Sequence, residues 1–238
     1  MSTLDGKTAL VIGVGGLGGP AALTLVCGGV RRIVLVDGTS VETRDLSGHP
    51  LLGEEDVGRP RAAAAARRLS RRFPDVSVTA SERELDEQSG AELLAPADVV
   101  VDASNHFPTM FLANDAAAAA SKALVHGGVL QHSAHVLTVV PGETGCLRCL
   151  FEAPPPPRLG TAGAEPDVLG PFAGLVGSLL GNEALRLLEG EPGAYAGRLL
   201  VYEARSGRSR SVPVKRREGC AACRAPPGAL PATAGGAT

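Results

Sequence analysis

Two runs decide the fold: TALVIGVGGLGGP (8–20), and RIVLVD (32–37) one helix-length further on. TALVIG is an apolar run that breaks into glycines, and Gly13, Gly15 and Gly18 form a GxGxxG pattern that also contains Gly16. Glycines at a strand-to-helix turn permit a tight bend and let a phosphate chain approach backbone N–H groups at a helix N-terminus. Asp37, nineteen residues after Gly18, ends the second run, where a carboxylate can accept hydrogen bonds from ribose hydroxyls. The spacing predicts a nucleotide-type βαβ unit but does not decide between NAD and ATP. The plainer alternative is a turn that is glycine-rich only because the chain is.

Working outward, VSVTA (76–80), DVVVDA (98–103) and ALVHGG (123–128) are further strand candidates, separated by helical stretches at about 18–28, 59–72 and 108–121. Their nearly continuous apolar character fits strands buried on both faces, as in a parallel sheet covered by helices. The alanine runs 62–66 and 116–120 match strong helix propensity at close-packed positions. After residue 130 the pattern changes. HVLTVV, the turn PGETG and CLRCLF are expected to form a hairpin, and a crossover loop at about 152–168 carries Pro154–Pro157. An apolar helix follows over about 169–188, then strands RLLVYEA (198–204) and RSRSVPVK (208–215). The expected fold is α/β: a Rossmann-like, mostly parallel sheet with helices on both faces and a C-terminal antiparallel extension. Residues 1–223 form one domain in this reading, and 224–238 a disordered tail.

The 238 residues are 44% hydrophobic and 20% charged, enough to bury a core, but aromatics are only 3% and Trp is absent. Ala, Val and Leu must fill that core. Lys+Arg 23 against Asp+Glu 25 gives a formal charge of -2, so composition offers no case for nucleic acid or an anionic membrane. The long uncharged run 8–30 contains seven glycines and Pro20 and lacks a basic flank, so neither an anchor nor a signal peptide is expected. The chain is expected to be cytoplasmic, where five cysteines are metal ligands or free thiols before they are disulfides.

Cys146-Leu-Arg-Cys149 and Cys220-Ala-Ala-Cys223 form two CxxC pairs. Each pair can offer two thiolates to one ion, and together they complete the tetrahedral four-cysteine set of structural zinc. Seventy residues lie between the pairs, so the metal would clip the C-terminal strands back onto the sheet. A redox CxxC is the rival, although neither pair follows a βα turn. Cys27, inside the first helix, reads as a buried core thiol.

Together these features resemble the ThiF/MoeB/HesA family, bacterial relatives of ubiquitin-activating enzymes. The matching stretches include residues 11–37, EDVGRPRA, DVVVDASNHFPTMFLANDAA, PGETGCLRCLF, VLGPFAGLVGSLLGNEALRLL and the final CAAC. The resemblance implies a homodimeric adenylyltransferase. Such an enzyme binds ATP and Mg²⁺ and attaches AMP to the C-terminal Gly-Gly carboxylate of a ubiquitin-fold carrier, or to a related small carboxylate. It also implies nucleotide-binding roles at Gly13, Gly15, Gly16, Gly18, Asp37, Arg61, Asp102 and Asn105. The catalytic positions depart from the family pattern. The family's Asn, Arg and Gln of N-x-x-R-Q fall on Asp45, Gly48 and His49, its phosphate-binding Lys on Arg61, and its metal-binding Asp on Asn105, while Asp102 is kept. Lys to Arg retains charge, Asp to Asn removes a magnesium-holding anion, and Arg to Gly deletes a cation. Each such contact is worth about 2–4 kcal/mol in a transition state. The catalytic candidates are therefore the altered Asp45, Arg61 and Asn105. No cysteine lies between Phe151 and Val168, and only seven residues precede the first strand, too few for the family's arginine-bearing arm.

Two other functions compete: a non-catalytic dimeric binding module on the same fold, and an NAD-dependent oxidoreductase, which leaves the cysteine pairs unexplained. Elsewhere, His132 and His135 stand three apart, on opposite faces of a strand, so they do not share a metal. His106 lies at the expected cleft, either against ligand or in a wet loop. RRLSRR (67–72) reads as a solvated helix face. Gly170, Gly174, Gly177 and Gly181 form a small-residue stripe expected to pack on the sheet or a dimer mate.

Overall fold

The computed structural model describes residues 4–154 and 170–224. Eight strands form one sheet in the order β3-β2-β1-β4-β5-β6-β7-β8. The first five are β1 (Thr8–Ile12), β2 (Arg32–Val36), β3 (Ser77–Ser81), β4 (Val99–Asp102) and β5 (Ala123–Leu130). They pair in parallel, and the buried β1 and β4 carry the apolar runs expected of strands covered on both faces. β6 (Ser133–Val139), β7 (Arg198–Glu203) and β8 (Arg208–Pro213) extend the sheet antiparallel.

Helices α1 (Gly18–Cys27), α2 (Arg61–Arg72) and α6 (Gly170–Leu188) bury Leu25, Leu69 and Leu180 on one face. Helices α3 (Glu87–Leu94) and α4 (Phe107–Ala119) bury Leu94, Ala113 and Ala117 on the other. The alanines do what their small size allows: Ala62, Ala64 and Ala65 lie fully buried where α2 meets the sheet. Among the described residues no helix is long and apolar enough to cross a membrane.

The hairpin expected of CLRCLF does not form. Val140–Thr144 closes a turn instead, and Leu147–Leu150 makes one helical turn, α5. The physical reason lies in the partners: the Asn114 side chain accepts the Leu147 N–H at 2.9 Å, and Cys149 N–H bonds Cys146 O at 2.9 Å. A strand would point the two thiols apart, whereas this turn gathers them. The last element, α7 (Ala221–Arg224), repeats the device with the second pair. Most of the crossover loop and the tail lie outside the described residues.

Candidate functional site

The order β3-β2-β1-β4-β5 reverses direction between β1 and β4, and ligands of open α/β sheets bind outside the strand C-termini at such a point. The glycine turn stands there. Gly13 has φ 79°, and a Cβ on it would lie 2.6 Å from Ser104 Cα, so the turn needs both its positive φ and its bare Cα. Gly18 lies against Gly13 O, so a side chain there would push helix from strand. By contrast, a Cβ on Gly15 would meet nothing within 4 Å among the described residues, so none of them closes this side of the turn. Among the described residues no side chain caps the N-terminus of α1. Ser104 Oγ and Arg61 Nε, both beside this turn, are buried with no hydrogen-bond partner among the described residues. Two orphaned polar atoms beside an uncapped helix end fit a polar ligand.

The charged groups around the turn are already engaged with one another. Asp37 accepts from Val14 N–H at 2.7 Å, from the Thr39 N–H at 2.9 Å and its hydroxyl, and from Arg61 at 3.3 Å. A carboxylate has about four acceptor positions, so a ribose hydroxyl must displace one of these partners. Arg61 also pairs with Asp45 at 2.8 Å, and its side chain is only 13% exposed. Burial works against its charge, but the two carboxylates outweigh it and raise its pKa further. The guanidinium is thus pinned between Asp37 and Asp45. Gly48 lies against α6: a Cβ on it would come within 2.4 Å of Gly170 Cα. No larger residue fits there without moving the helix. His49 is buried, accepting from Leu51 N–H at Nδ1 (3.2 Å) and donating from Nε2 to Val14 O (2.7 Å). Burial lowers its pKa, so the ring is a neutral strut under the turn.

On the other side of the mouth, Asp102 is fully buried. It accepts from Ser104 N–H at 3.1 Å and from His126 Nδ1–H at 2.8 Å. His126 Nε2 lies 3.1 Å from His135 Nε2, and burial and then the neighbouring ring push His135 down to about 3. Asn105 sits at φ 52° and its side-chain oxygen accepts from Val129 N–H at 3.3 Å. Magnesium favours free carboxylate oxygens. Here Asp102 is spoken for and position 105 is an amide, so this set does not fit a magnesium ion held in the family's way. His106 is exposed at the start of α4 and pairs with Thr109 Oγ1 at 3.0 Å.

The four cysteines of the two CxxC pairs come together at the far end of the second layer. Their sulfurs all lie within 4.8 Å of one another, with Cys146–Cys149, Cys146–Cys220 and Cys149–Cys223 at 3.9, 3.8 and 3.5 Å. A tetrahedral ion with bonds of about 2.3 Å to sulfur has edges of about 3.8 Å, so the quartet fits one ion. The Cys146 thiol is drawn down to about 5, first by its hydrogen bond with Cys223, while Cys220 is pushed up, first by burial. The four sulfurs compete for negative charge, a conflict a divalent cation relieves. Around them stands a supporting shell. Arg148, between the first two ligands, pairs with buried Asp115 at 2.6 Å, and Asn114 fixes Leu147.

Three smaller expectations change. Cys27 is exposed, because α1 turns Leu25 and Val26 to the core and leaves its last residue on the outside. Arg67 and Arg68 are more than a wet face: both pair with fully buried Asp56 and fix the 3-10 turn Glu54–Asp56. The glycine stripe packs on α1, with Gly177 against Leu17 O and Gly181 against Ala21 O and Thr24; Gly174 meets nothing. The roles of His49 and of the His126–His135 pair were missed by sequence reasoning. The one usable signal was the β5–β6 register, which sets His135 opposite Gly128 and His126 opposite Leu137 on a shared face.

Fold and site together define an α/β nucleotide-type domain with a four-cysteine cluster at one end that could hold a metal ion. The sequence matches the ThiF family over residues 1–222, and the chain belongs to that family. It is 40% identical over 225 residues to the sulfur carrier protein adenylyltransferase of Thermus thermophilus, covering 92% of this chain and 83% of the relative. It is 39% identical over 214 residues to the SAMP-activating enzyme E1 of Haloferax volcanii, covering 90% and 79%. The mouse adenylyltransferase and sulfurtransferase MOCS3 is 36% identical over 222 residues, covering 92% of this chain and 48% of that one. Among solved structures, E. coli MccB with ATP superposes with a TM-score of 0.82 at 19% identity, covering 93% of this chain and 68% of that one, a likeness of fold.

Proposed function

We propose that the chain is an adenylyltransferase that activates the C-terminal carboxylate of a ubiquitin-fold sulfur carrier ending in Gly-Gly, or a related carboxylate. In that reaction a carboxylate oxygen attacks the α-phosphorus of ATP, the bond to the β-phosphate breaks, and an acyl-adenylate and pyrophosphate result. The observation that carries the reading is the open glycine turn at the reversal point of the sheet, in a chain whose relatives bear adenylyltransferase names. Backbone N–H groups from Gly13 to Gly18 would meet the phosphates, Asp37 the ribose, and Arg61 the developing charge. Arg61 reaches a phosphate only by releasing Asp45 or Asp37, so turnover is expected well below ordinary enzyme rates.

The same proposal makes the cysteine-held ion zinc, the assembly a homodimer and the compartment the cytoplasm. It takes residues 1–223 as one domain and 224–238 as a tail. A second reading, a non-catalytic dimeric module that keeps the carrier or nucleotide groove, is favoured by one contact: Gly48 against Gly170 leaves no room for a cation at that position. ATP–pyrophosphate exchange with a β-grasp carrier ending in Gly-Gly separates the two. The adenylyltransferase reading expects carrier-dependent exchange that rises about tenfold or more in Asn105→Asp. If neither protein exchanges while a nucleotide or the carrier still binds, the binding module is right.

A further inference from the structure

The buried Asp102–His126–His135 chain is not used by any step above. Asp102 ends β4 in register with His126 on β5, and His135 enters from β6, two pairs further along the ladder and on the same face. Gly128 makes the approach possible, since a Cβ there would lie 2.6 Å from His135 Cε1 and 2.9 Å from its Nε2. The same point lies 3.3 Å from Asn105 Oδ1, so the amide of the mouth borders the histidine pair. His126 donates from Nδ1 to Asp102, which leaves its Nε2 lone pair free to face the His135 ring. A carboxylate that orients an imidazole through one nitrogen so that the other can bind is the usual support of a metal-ligating histidine.

We propose that His126 Nε2 and His135 Nε2 are two ligands of a site for an imidazole-preferring divalent ion such as zinc or cobalt, with Asp102 holding His126 in place. Two metal–nitrogen bonds of about 2.0–2.1 Å spanning the 3.1 Å separation subtend roughly 98° at the ion, close to tetrahedral. The ion takes the place of the proton shared by the two rings, which moves to His135 Nδ1. Remaining positions fall to water or the Asn105 amide oxygen. The ligand set is nitrogen-rich where magnesium would require carboxylates, so selectivity turns toward borderline ions. The ion's relevance to the nucleotide rests on the adenylyltransferase reading; its binding does not.

The test is metal binding by the full chain, without nucleotide or carrier. Protein stripped under reducing conditions and titrated with cobalt(II) is expected to take two equivalents. One carries thiolate-to-metal absorption from the cysteine quartet, and the other shows only weak d–d bands. His135→Gln should lose the second equivalent and keep the first, while Cys220→Ser should keep the second. Asp102→Asn should weaken the second by about 10–100-fold. Far-UV circular dichroism of each variant, and the retained thiolate signal of the histidine variants, control for folding. A single equivalent in the native protein, or a second that survives both His135→Gln and His126→Gln, overturns the site. Loss of pyrophosphate exchange with two equivalents intact would sink the enzymatic reading and leave the metal site standing.

Discussion

The two ends of the molecule carry charge in opposite ways. At the cysteine end four thiols are gathered with no cation among the described residues between them, and the residues around them, Asn114, Asp115 and Arg148, hold the turns that carry them. At the mouth, the charges that a triphosphate would need have been paired off: Arg61 with Asp37 and Asp45, Asp102 with His126. The difference teaches that one end is built around side chains gathered at a point, the other around side chains already paired. A clip built from two short turns and one helix is nearly all-or-none. A charge network spread over several loops can be rewired while every strand stays in place.

The clip offers the sharpest break of that comparison. Chelation under reducing conditions, or Cys220→Ser, is expected to cost about 4 kcal/mol or more, a fall in melting temperature of about 8–16 °C for a chain this size. Calorimetry with and without chelator reads it. An unchanged melting curve would mean that the quartet is incidental to stability. Next comes Asp115→Ala, which strands the Arg148 guanidinium in a site where its side chain is 18% exposed. Breaking a buried pair on one side costs about 3 kcal/mol. The same variant should also release metal faster to a chromogenic chelator. If only stability changes, Asp115 supports the fold and not the ligand turn.

How far each end was legible in the sequence follows from the same contrast. The cysteine quartet announces itself by spacing alone, because each CxxC pair is local and the two need only meet. The central parallel strands β1 and β4 are legible because burial on both faces leaves an apolar run with no alternation. α3 was not, since EQSGAELL is short, half polar and takes its start from the Asp86 cap, which accepts from Ser89 N–H at 2.6 Å. The α5 turn was mistaken for a strand because Leu and Phe flank the cysteines, while the deciding partner, Asn114, lies 33 residues away. At the mouth, the substitutions could be read but not their consequences. That Gly48 faces Gly170, or that Arg61 is shared by Asp37 and Asp45, depends on how distant loops stack.

Two substitutions at the mouth then sharpen the comparison, because they differ in what geometry permits. Gly48→Arg restores a cation on paper, yet its Cβ would collide with the α6 backbone at Gly170. It should lower stability by about 1–3 kcal/mol and fail to improve nucleotide binding. Asp45→Asn adds no bulk, keeps an amide oxygen that can accept from Glu42 N–H as the carboxylate does at 2.8 Å, and releases one of the two carboxylates that hold Arg61. It should tighten ATP binding by about tenfold, equivalent to about 1.4 kcal/mol. Isothermal titration of both variants decides it. A gain from Gly48→Arg and none from Asp45→Asn would reverse the account of which change closed the site.

The smallest expected effect concerns pH. His49 is buried with its pKa lowered, and His135 is pushed down to about 3, so both remain neutral in the folded chain while the unfolded chain takes up protons below about 6.5. Stability is therefore complete above that value and falls as the pH drops toward the folded pKa of each ring. The slope approaches about 1.4 kcal/mol per pH unit for each histidine. Urea unfolding between pH 7.5 and 5.5 should show this loss, and His49→Gln should remove close to half of it. The glutamine can still donate to Val14 O, so stability at pH 7.5 should change little. If His49→Gln leaves the slope untouched, His49 is reached by water and protonates freely, and the glycine turn is less rigidly supported than the clip.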